Sequence, residues 1–351
     1  MNVMPRPRPF PRPTYLLVGN YGVGNAGDEI LREYFLERFP EVAWRVLSAC
    51  PQREELPRFP AGIRSFFSFQ WLATFQELRR ADGMVFGGGS LWTDSESLSA
   101  CIIWTVHAGF ALFLRKPIFL AFQGIGPFRT KLGEALARWV LKRASFVSVR
   151  DVASLQRRES WKMNTKAIQS FDPAFLLLDA KKSDLRIKNV FIFIPRFSSQ
   201  WTADTRQKFL SFFQGTQREG GTIRILSLCP EDMRERFLCE SFAHSLDVSV
   251  EEVTSLREVP QLLSGAMCVL TERYHGALAA LAKGVPFVAL RREKGDKLDA
   301  LAEMCGCPSA TVRDVRFPVS AEMLPMKAEE CHELALKGEE VLRQALLHSP
   351  H

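Results

Sequence analysis

Residues 271–277 place a permanent cation beside a titratable imidazole where a buried strand should end. Arg273 and His275 stand two positions apart, and the small residues that begin at Ala277 predict a helix lying close to a sheet. The helix dipole lowers the pKa of a histidine at a helix N-terminus, whereas a bound phosphate or carboxylate raises it. The pair therefore suits an anionic substrate that must also receive a proton. The structural alternative for His275 is a neutral cap or a hydrogen bond in the core.

Further cations could reach the same anion. Arg150 ends a predicted strand in the first half of the chain, from which it would face the cleft on the opposite side. Lys294 and Lys297 follow a later strand, and Lys297 directly precedes a predicted helix. The alternative for Arg150 is a surface ion pair with Asp151, which contributes little stability. Charge runs such as the one around the two lysines are usually solvated faces.

A glycine-rich loop at residues 19–28 joins the first predicted strand to a helix. Its glycines form the pattern GxGxxG: Gly22, Gly24 and Gly27. A dinucleotide site also needs an acidic residue after the second strand, and residues 46–53 contain none, which argues against NAD. The loop is instead predicted to turn backbone N–H groups toward an anion or polar substrate, with contacts from Asn25 and Asp28. Asp28 could equally do no more than stabilise the helix dipole.

Two shorter loops also follow predicted strands. Gly88, Gly89 and Ser90 belong to the first of them, and Gln123 opens the second at residues 123–127. We expect both loops to contribute to a ligand site, with polar contacts from the serine and the glutamine. The alternative for the glycine loop is a tight turn in which only backbone shape matters.

Apolar runs rich in Val, Ile and Phe alternate with amphipathic stretches in two blocks, separated by a polar, Lys-rich segment at residues 179–188. This alternation predicts parallel sheets covered by helices on both faces. The expected fold is α/β, with two Rossmann-like doubly wound domains facing a cleft at the carboxyl ends of their strands. The predicted divisions are a basic, Pro-rich arm at 1–13, an N-terminal domain at 14–180, a C-terminal domain at 188–320, and a helix within 321–351 that could pack back on the first domain.

The composition excludes several classes of protein. The 351 residues are 46% hydrophobic and 24% charged, which is typical of a globular chain. A net charge of +7 indicates anionic partners, but no block of basic residues interleaved with aromatics suggests nucleic acid outside the arm. Residues 97–114 lack charge, but His107 and small polar residues favour a buried helix over a membrane span.

The eight cysteines form no CxxC pair. They are predicted to be reduced, mostly buried thiols in a reducing compartment, and the sequence suggests no metal site. The first 13 residues lack the apolar core of a secretion signal. Both observations favour a cytoplasmic protein.

In combination, the motifs resemble those of the polysaccharide pyruvyltransferase family over residues 15–308. The order of the motifs, above all SVRD, DPA and RYHGA, is more specific than any one of them. The matching segments are residues 22–31, 87–90, 123–127, 148–151, 172–174, 273–277 and 284–287.

The resemblance implies a two-domain fold like that of GT-B glycosyltransferases. The implied reaction transfers a pyruvyl group from phosphoenolpyruvate to a sugar of a cell-surface polysaccharide or its lipid-linked precursor, as a cyclic ketal and without a cofactor. By this resemblance Arg150, Arg273 and Lys297 would bind the donor, and His275 would be the general acid. A lipid-linked acceptor leaves open a peripheral contact at the inner face of the membrane.

At two positions, the residue roles of the family cannot be assigned directly to this sequence. The Arg- and Lys-rich link between residues 290 and 297 is longer than usual in the family, which leaves the choice between Lys294 and Lys297 open. Asp28 is the candidate to orient or deprotonate the acceptor, an assignment that rests on its place in the first loop.

Two other classes of function compete with pyruvyl transfer. A GT-B glycosyltransferase would hold the ribose of a nucleotide sugar through an acidic residue, and Glu272 is the only nearby candidate, although it precedes its helix. A non-catalytic sugar- or partner-binding module would make His275 and Arg150 dispensable, and the presence of Arg273 beside His275 argues against it.

Overall fold

A computed structural model describes residues 12–60, 62–95, 97–163, 166–178, 189–317 and 327–348. Its strands form two sheets, and every strand pairing in them is parallel. Helices connect the strands, which confirms the predicted α/β class with two doubly wound domains. The linker at 179–188, the arm up to residue 11 and the start of the final segment at 321–326 lie outside the described residues.

The first sheet has seven strands in the order β3-β2-β1-β4-β5-β6-β7. The strands are β1 Thr14–Val18, β2 Ala43–Ser48, β3 Leu56–Pro57, β4 Gly83–Trp92, β5 Ile118–Ile125, β6 Phe146–Val149 and β7 Ile168–Gln169. The helices are α1 Ala26–Arg38, α2 Ile63–Phe67, α3 Trp71–Arg80, α4 Leu98–Phe113, α5 Lys131–Leu141 and α6 Val152–Ser160, followed by the 3-10 helix Pro173–Leu177. The strand order reverses between β1 and β4, so the loops after these two strands border a crevice.

The second sheet has six strands in the order β10-β9-β8-β11-β12-β13. The strands are β8 Val190–Ile194, β9 Thr222–Ser227, β10 Val250–Glu252, β11 Cys268–Thr271, β12 Phe287–Arg291 and β13 Ser309–Thr311. The helices are α7 Ala203–Arg218, α8 Met233–Leu246, α9 Val259–Leu262, α10 Tyr274–Lys283 and α11 Lys297–Cys305, with a 3-10 helix at Leu256–Glu258. Here the order reverses between β8 and β11, which places the loop that carries Arg273 at the crevice.

Helix α10 lies deep in the second domain, and all ten of its residues are buried. A Cβ atom on Gly276 would lie 2.7 Å from the Oγ1 atom of Thr271, so a larger residue here would push the helix off the sheet. The small residues therefore allow the close packing that the sequence predicts. The helix begins at Tyr274, three residues earlier than expected, which brings His275 inside its first turn.

A last helix, α12 Lys327–Leu347, packs on the first domain after the chain has completed the second. The carboxylate of Glu339 accepts hydrogen bonds from Tyr34 and Arg38 of α1, and the hydroxyl of Tyr15 donates to the Leu346 carbonyl at 2.9 Å. A Cβ atom on Gly338 would lie 2.5 Å from that of Ser170, so the helix approaches the sheet closely.

The uncharged segment at 97–114 forms α4, which Ser97 caps by accepting a hydrogen bond from the Ala100 N–H. One face of α4, including Trp104 and His107, is buried against the first sheet. None of the helices in the described ranges has the length and hydropathy that crossing a bilayer requires. The eight cysteines are all free thiols, and only Cys50 is exposed.

Candidate active site

A cavity of about 290 Å³ lies between the two domains, at the carboxyl ends of both sheets. Six of the residues predicted from the sequence line it: Asn25, Asp28, Ser90, Arg273, His275 and Lys297. The other six are not among its lining residues: Gly24, Gly88, Gly89, Gln123, Arg150 and Lys294.

His275 is only 8% exposed, and its ring packs against the start of α1. A Cβ atom on Gly27 would lie 2.0 Å from the Nδ1 atom of the imidazole, so the last glycine of the GxGxxG pattern makes room for the ring. The Nε2 atom is buried and has no hydrogen-bond partner among the residues the structure describes. Burial lowers the pKa of His275 to about 3, which favours the neutral imidazole.

Arg273 is the N-terminal cap residue of α10. Its backbone N–H donates to the Thr271 hydroxyl at 2.9 Å, and its guanidinium pairs with the buried carboxylate of Glu235. Its Nε atom makes no hydrogen bond within the described part of the chain. Glu235 also accepts from the Cys229 N–H at 3.1 Å, so α8 anchors the cation that β11 brings to the cavity.

Arg150 lies behind the cavity wall, which corrects the expectation that it faces the cleft. It is 2% exposed and donates to Asp172 at 2.6 Å and to the Ser90 hydroxyl at 2.7 Å. Its guanidinium stands 4.5 Å from the ring centroid of Tyr274. The ion pair is not made with Asp151, which instead caps α6. Arg150 thus supports two residues that do line the cavity.

The first loop holds Asp28 in a fixed orientation. Asn25 caps α1 by accepting from the Gly27 N–H, and its Nδ2 donates to Asp28 at 2.7 Å. Asn20 donates to the same carboxylate oxygen at 3.0 Å. Burial raises the pKa of Asp28, while its two amide partners, Lys297 and Arg273 oppose that shift. The positive charges of Lys297 and Arg273 therefore act on the Asp28 carboxylate and favour its ionised form.

The two candidate lysines occupy different places. Lys297 begins α11 and lines the cavity, with its Nζ atom 5.8 Å from the ring centroid of Tyr274. Lys294 is exposed in the preceding turn and is not part of the lining. The structure therefore favours Lys297 over Lys294 as the lysine of the site.

Residues 25–294 match a family described as polysaccharide pyruvyl transferase. The chain belongs to this family. The match spans most of the chain and includes every residue placed in the cavity above except Lys297.

A curated relative of the pyruvyltransferase is the amylovoran biosynthesis protein AmsJ of Erwinia amylovora. The two are 24% identical over an alignment that covers 79% of this chain and 83% of AmsJ.

Solved structures with the same fold are much more distant in sequence. Anabaena Alr3699/HepE, in complex with UDP and glucose, is 13% identical with a TM-score of 0.51, and 94% of each chain is covered. A UDP-GlcNAc 2-epimerase of Methanocaldococcus jannaschii, in complex with UDP-GlcNAc and UDP, is 12% identical with a TM-score of 0.58, and 94% of this chain and 98% of that chain are covered. These likenesses confirm the predicted GT-B-like arrangement of the pyruvyltransferase.

Four of the predicted residues outside the lining shape the loops around it. Gln123 is fully buried and donates to the carbonyls of Phe86 and Ala121, so it ties β5 to β4. Gly88 and Gly89 have φ angles of +83° and +84°, a backbone conformation that favours glycine. Gly24, with φ of +70°, serves the turn before α1. These positions act through backbone shape and packing instead of through contact with a ligand in the cavity.

Several residues of the site were missed from the sequence. Arg196 follows β8 and Arg129 follows β5, and both line the cavity of the pyruvyltransferase. Their positions after strands were the signal that could have identified them. Tyr274, whose ring lies near Arg150 and Lys297, entered the sequence prediction only as part of the RYHGA motif. Nothing in the local sequence pointed to Glu235, whose pairing with Arg273 depends on the fold.

Glu272 also lines the cavity, next to Arg273. One of its carboxylate oxygens accepts from the Arg196 N–H and from the Trp201 indole N–H, both at 2.8 Å. Burial raises the pKa of Glu272 to about 7. In the described ranges no three His, Cys, Asp or Glu side chains are grouped as metal ligands.

Proposed function

We propose that the pyruvyltransferase takes its pyruvyl group from phosphoenolpyruvate and delivers it to two hydroxyls of a saccharide as a cyclic ketal, without a cofactor. The observation that carries this proposal is that one interdomain cavity brings together Arg273, Lys297 and the unpartnered Nε2 atom of His275. Cations for an anionic donor and an imidazole for proton transfer are what this chemistry requires.

The cavity matches the charge of the donor. Phosphoenolpyruvate carries a phosphate and a carboxylate, and the lining includes Arg196, Arg273, Arg292 and Lys297. The N-terminal ends of α10 and α11 also open on the cavity, and helix N-termini attract anions. We assign Arg273 and Lys297 to the donor's phosphate and carboxylate. Arg150 would position Ser90 and Tyr274 without touching the donor.

The protonation state of His275 determines how it could act as the general acid. The methylene carbon of an enol phosphate must gain a proton before the neighbouring carbon can be attacked by a hydroxyl. Burial favours the neutral form of His275, because it lowers the pKa to about 3. A bound donor with several negative charges would raise that pKa, so the imidazole would take up a proton as the donor binds. His275 would then pass this proton to the methylene carbon.

The likeness to AmsJ supports a role in the biosynthesis of an exopolysaccharide. The acceptor would be a sugar of such a polymer or of its lipid-linked precursor, bound on the side of the cleft that carries Asp28. We place the reaction in the cytoplasm, with a lipid-linked acceptor presented at the inner face of the membrane.

The test is phosphate release from phosphoenolpyruvate in the presence of a panel of free and lipid-linked oligosaccharides. We expect the wild-type protein to release phosphate with at least one acceptor, and phosphoenolpyruvate to raise the melting temperature more than UDP does. His275→Ala should lower turnover about 100-fold or more, because a general acid contributes that much. The exposed His244→Ala is the matched control. Stabilisation by UDP alone would contradict the proposal and favour a nucleotide-sugar enzyme.

A further inference from the structure

The side chain of Glu272 is fixed in the wall of the cavity. It follows β11 directly and is only 7% exposed. Its Oε2 atom accepts two hydrogen bonds of 2.8 Å, one from the Arg196 N–H and one from the Trp201 indole. These two donors come from the segment after β8, so the orientation of the carboxylate is set by a neighbouring strand.

The second oxygen of the same carboxylate has no such partner. Oε1 is buried and receives no hydrogen bond from any residue that the structure describes. Buried polar atoms are nearly always paired, and each exception calls for an explanation. Because Glu272 lines the cavity, we take a ligand bound there as the partner of this oxygen.

The charge of Glu272 indicates which ligand group this is. The phosphate and carboxylate of the donor suit the cations Arg196, Arg273, Arg292 and Lys297, and a carboxylate among them would repel both donor groups. A carboxylate oxygen accepts hydrogen bonds and cannot donate them when ionised. Its natural partner is therefore an O–H group, which the saccharide acceptor supplies.

We propose that Glu272 is the general base that takes the proton of the first attacking hydroxyl, an inference that rests on the proposed function. The hydroxyl O–H bond breaks, its proton goes to Oε1, and the oxygen forms a bond to the central carbon of the enol phosphate. The methylene carbon gains its proton from His275 in the same addition. The second hydroxyl then displaces phosphate, which leaves with that hydroxyl's proton. Glu272 has gained one proton and His275 has lost one, and both are restored by exchange with water.

The electrostatics suit this role. Burial raises the pKa of Glu272 to about 7, while the hydrogen bonds from Arg196 and Trp201 and the charges of Arg292 and Arg196 oppose that shift. Arg273, Tyr274 and His275 are the charged or titratable groups on its own segment. A base with a pKa near the working pH combines a useful ionised fraction with a strong pull on the proton. Asp28 is less suited, because neither of its oxygens is a buried acceptor left without a partner in the described part of the chain.

The test compares Glu272→Gln with the wild type, and Glu303→Gln with both as an exposed glutamate of the same domain. Glutamine keeps an oxygen for the Arg196 and Trp201 donors but cannot take a proton. We expect kcat to fall about 100-fold or more, the affinity for phosphoenolpyruvate to stay within about twofold, and the acidic limb of the kcat/KM profile to disappear. The Glu303→Gln variant should match the wild type.

Trp201→Phe gives a second measurement that does not depend on the fold of the first variant. Loss of the indole donor should raise the pKa of Glu272, so the acidic limb should move to higher pH by about 0.5–1 unit. A purely structural role of Glu272 would leave the limb in place.

The outcomes separate the two proposals. If the wild type is active and the kcat of Glu272→Gln lies within about threefold of the wild-type value, the role of Glu272 alone would be overturned. An acidic limb that Glu272→Gln leaves unchanged would have the same consequence. Loss of donor affinity with normal kcat would do the same, because it would assign Glu272 to the donor. A wild-type protein that neither binds nor consumes phosphoenolpyruvate would overturn both proposals.

Discussion

Gly27 carries only a hydrogen atom where other residues carry a side chain, and this leaves room for the His275 ring. Gly27 touches the imidazole so closely that any side chain at this position must displace the ring. The glycine pattern in the first loop predicted a turn that faces an anion or a polar substrate, but its last member allows the His275 ring to lie against the first helix. A glycine pattern therefore predicts that some group packs closely against the backbone, but it does not predict which group.

We expect Gly27→Ala to lower kcat about tenfold or more, because displacement of a reacting group by a fraction of an ångström to an ångström costs catalysis strongly. The measurement is steady-state phosphate release. Gly215→Ala in α7 is the matched control, since a Cβ atom there meets nothing within 4 Å. That control should keep full activity and gain up to about 1 kcal/mol of stability. Normal activity of Gly27→Ala would show that His275 tolerates the shift.

A second buried histidine makes stability depend on pH. The Nδ1 atom of His107 lies 2.7 Å from the Ile103 carbonyl, and its Nε2 atom accepts from the Phe59 N–H at 3.1 Å, so the ring is bound as the neutral form. Burial lowers its pKa to about 4. Because the unfolded chain takes up a proton near pH 6.5 and the folded protein does not, stability is full above pH 6.5 and falls toward pH 4.

Urea unfolding of His107→Gln and of the wild type should show this difference. We expect the wild type to lose about 3 kcal/mol more than the variant between pH 7 and pH 4. His275 contributes in the same direction to both proteins, so the comparison isolates His107. Parallel stability curves would show that His107 is protonated in the folded state.

The sequence located Arg273 and His275 because strand ends in parallel sheets converge on one edge, and their chemistry could be read from residue type. It misplaced Arg150, because a position after a strand does not reveal whether the side chain reaches the cavity or the layer behind it. That choice depends on Asp172, which neutralises Arg150 from 22 residues further along the chain. The anchoring of Arg273 by Glu235 depends in the same way on tertiary contacts.

At the scale of elements, one buried carboxylate of α12 carries several of the hydrogen bonds that hold this helix to the first domain. Glu339 accepts from the Tyr34 hydroxyl at 3.0 Å, from Arg38 at 2.9 and 3.0 Å, and from Arg343 at 3.2 Å. Removing it would leave the buried Tyr34 hydroxyl without this acceptor, whereas Arg343 keeps its bonds to Glu41 and to the Arg38 carbonyl. The helical pattern predicted this helix, but its docking partner could not be derived from periodicity.

Glu339→Ala should lower the free energy of unfolding by about 1–3 kcal/mol, because the buried Tyr34 hydroxyl would lose its acceptor. Glu340→Ala is the control, since that exposed residue accepts only from Gln344 on the same helix. The control should change stability by less than about 0.5 kcal/mol. Equal effects of the two substitutions in urea titrations would contradict a specific role for Glu339.

At the scale of the whole molecule, ion pairs join the two domains at two places. Arg257 contacts Glu33 and Glu37 of α1, and Arg129 pairs with Glu293 at the rim of the cavity. The Ala26 N–H also donates to the Leu228 carbonyl across the interface. The rim pair is half exposed on both sides, so it contributes little to stability.

We expect Arg129→Glu to weaken phosphoenolpyruvate binding several-fold at low salt, because the rim would then carry two adjacent negative charges. The effect should fade as salt rises, since the screening length shrinks to about 3 Å at 1 M. Unfolding should change by less than about 1 kcal/mol. The double variant with Glu293→Arg should restore affinity, and a failure of this rescue would show that the rim pair does not act through charge.

Because α12 packs on the first domain, it restricts how the two domains can be expressed as separate fragments. Cys331, Ala335, Leu342 and Leu346 belong to the same apolar cluster as Tyr15, Tyr34 and Phe122. A fragment that stops at residue 178 would therefore leave part of its own core open to water. An isolated first domain should be expressed with residues 327–348 joined to it by a short artificial tether, and the isolated second domain should end before them.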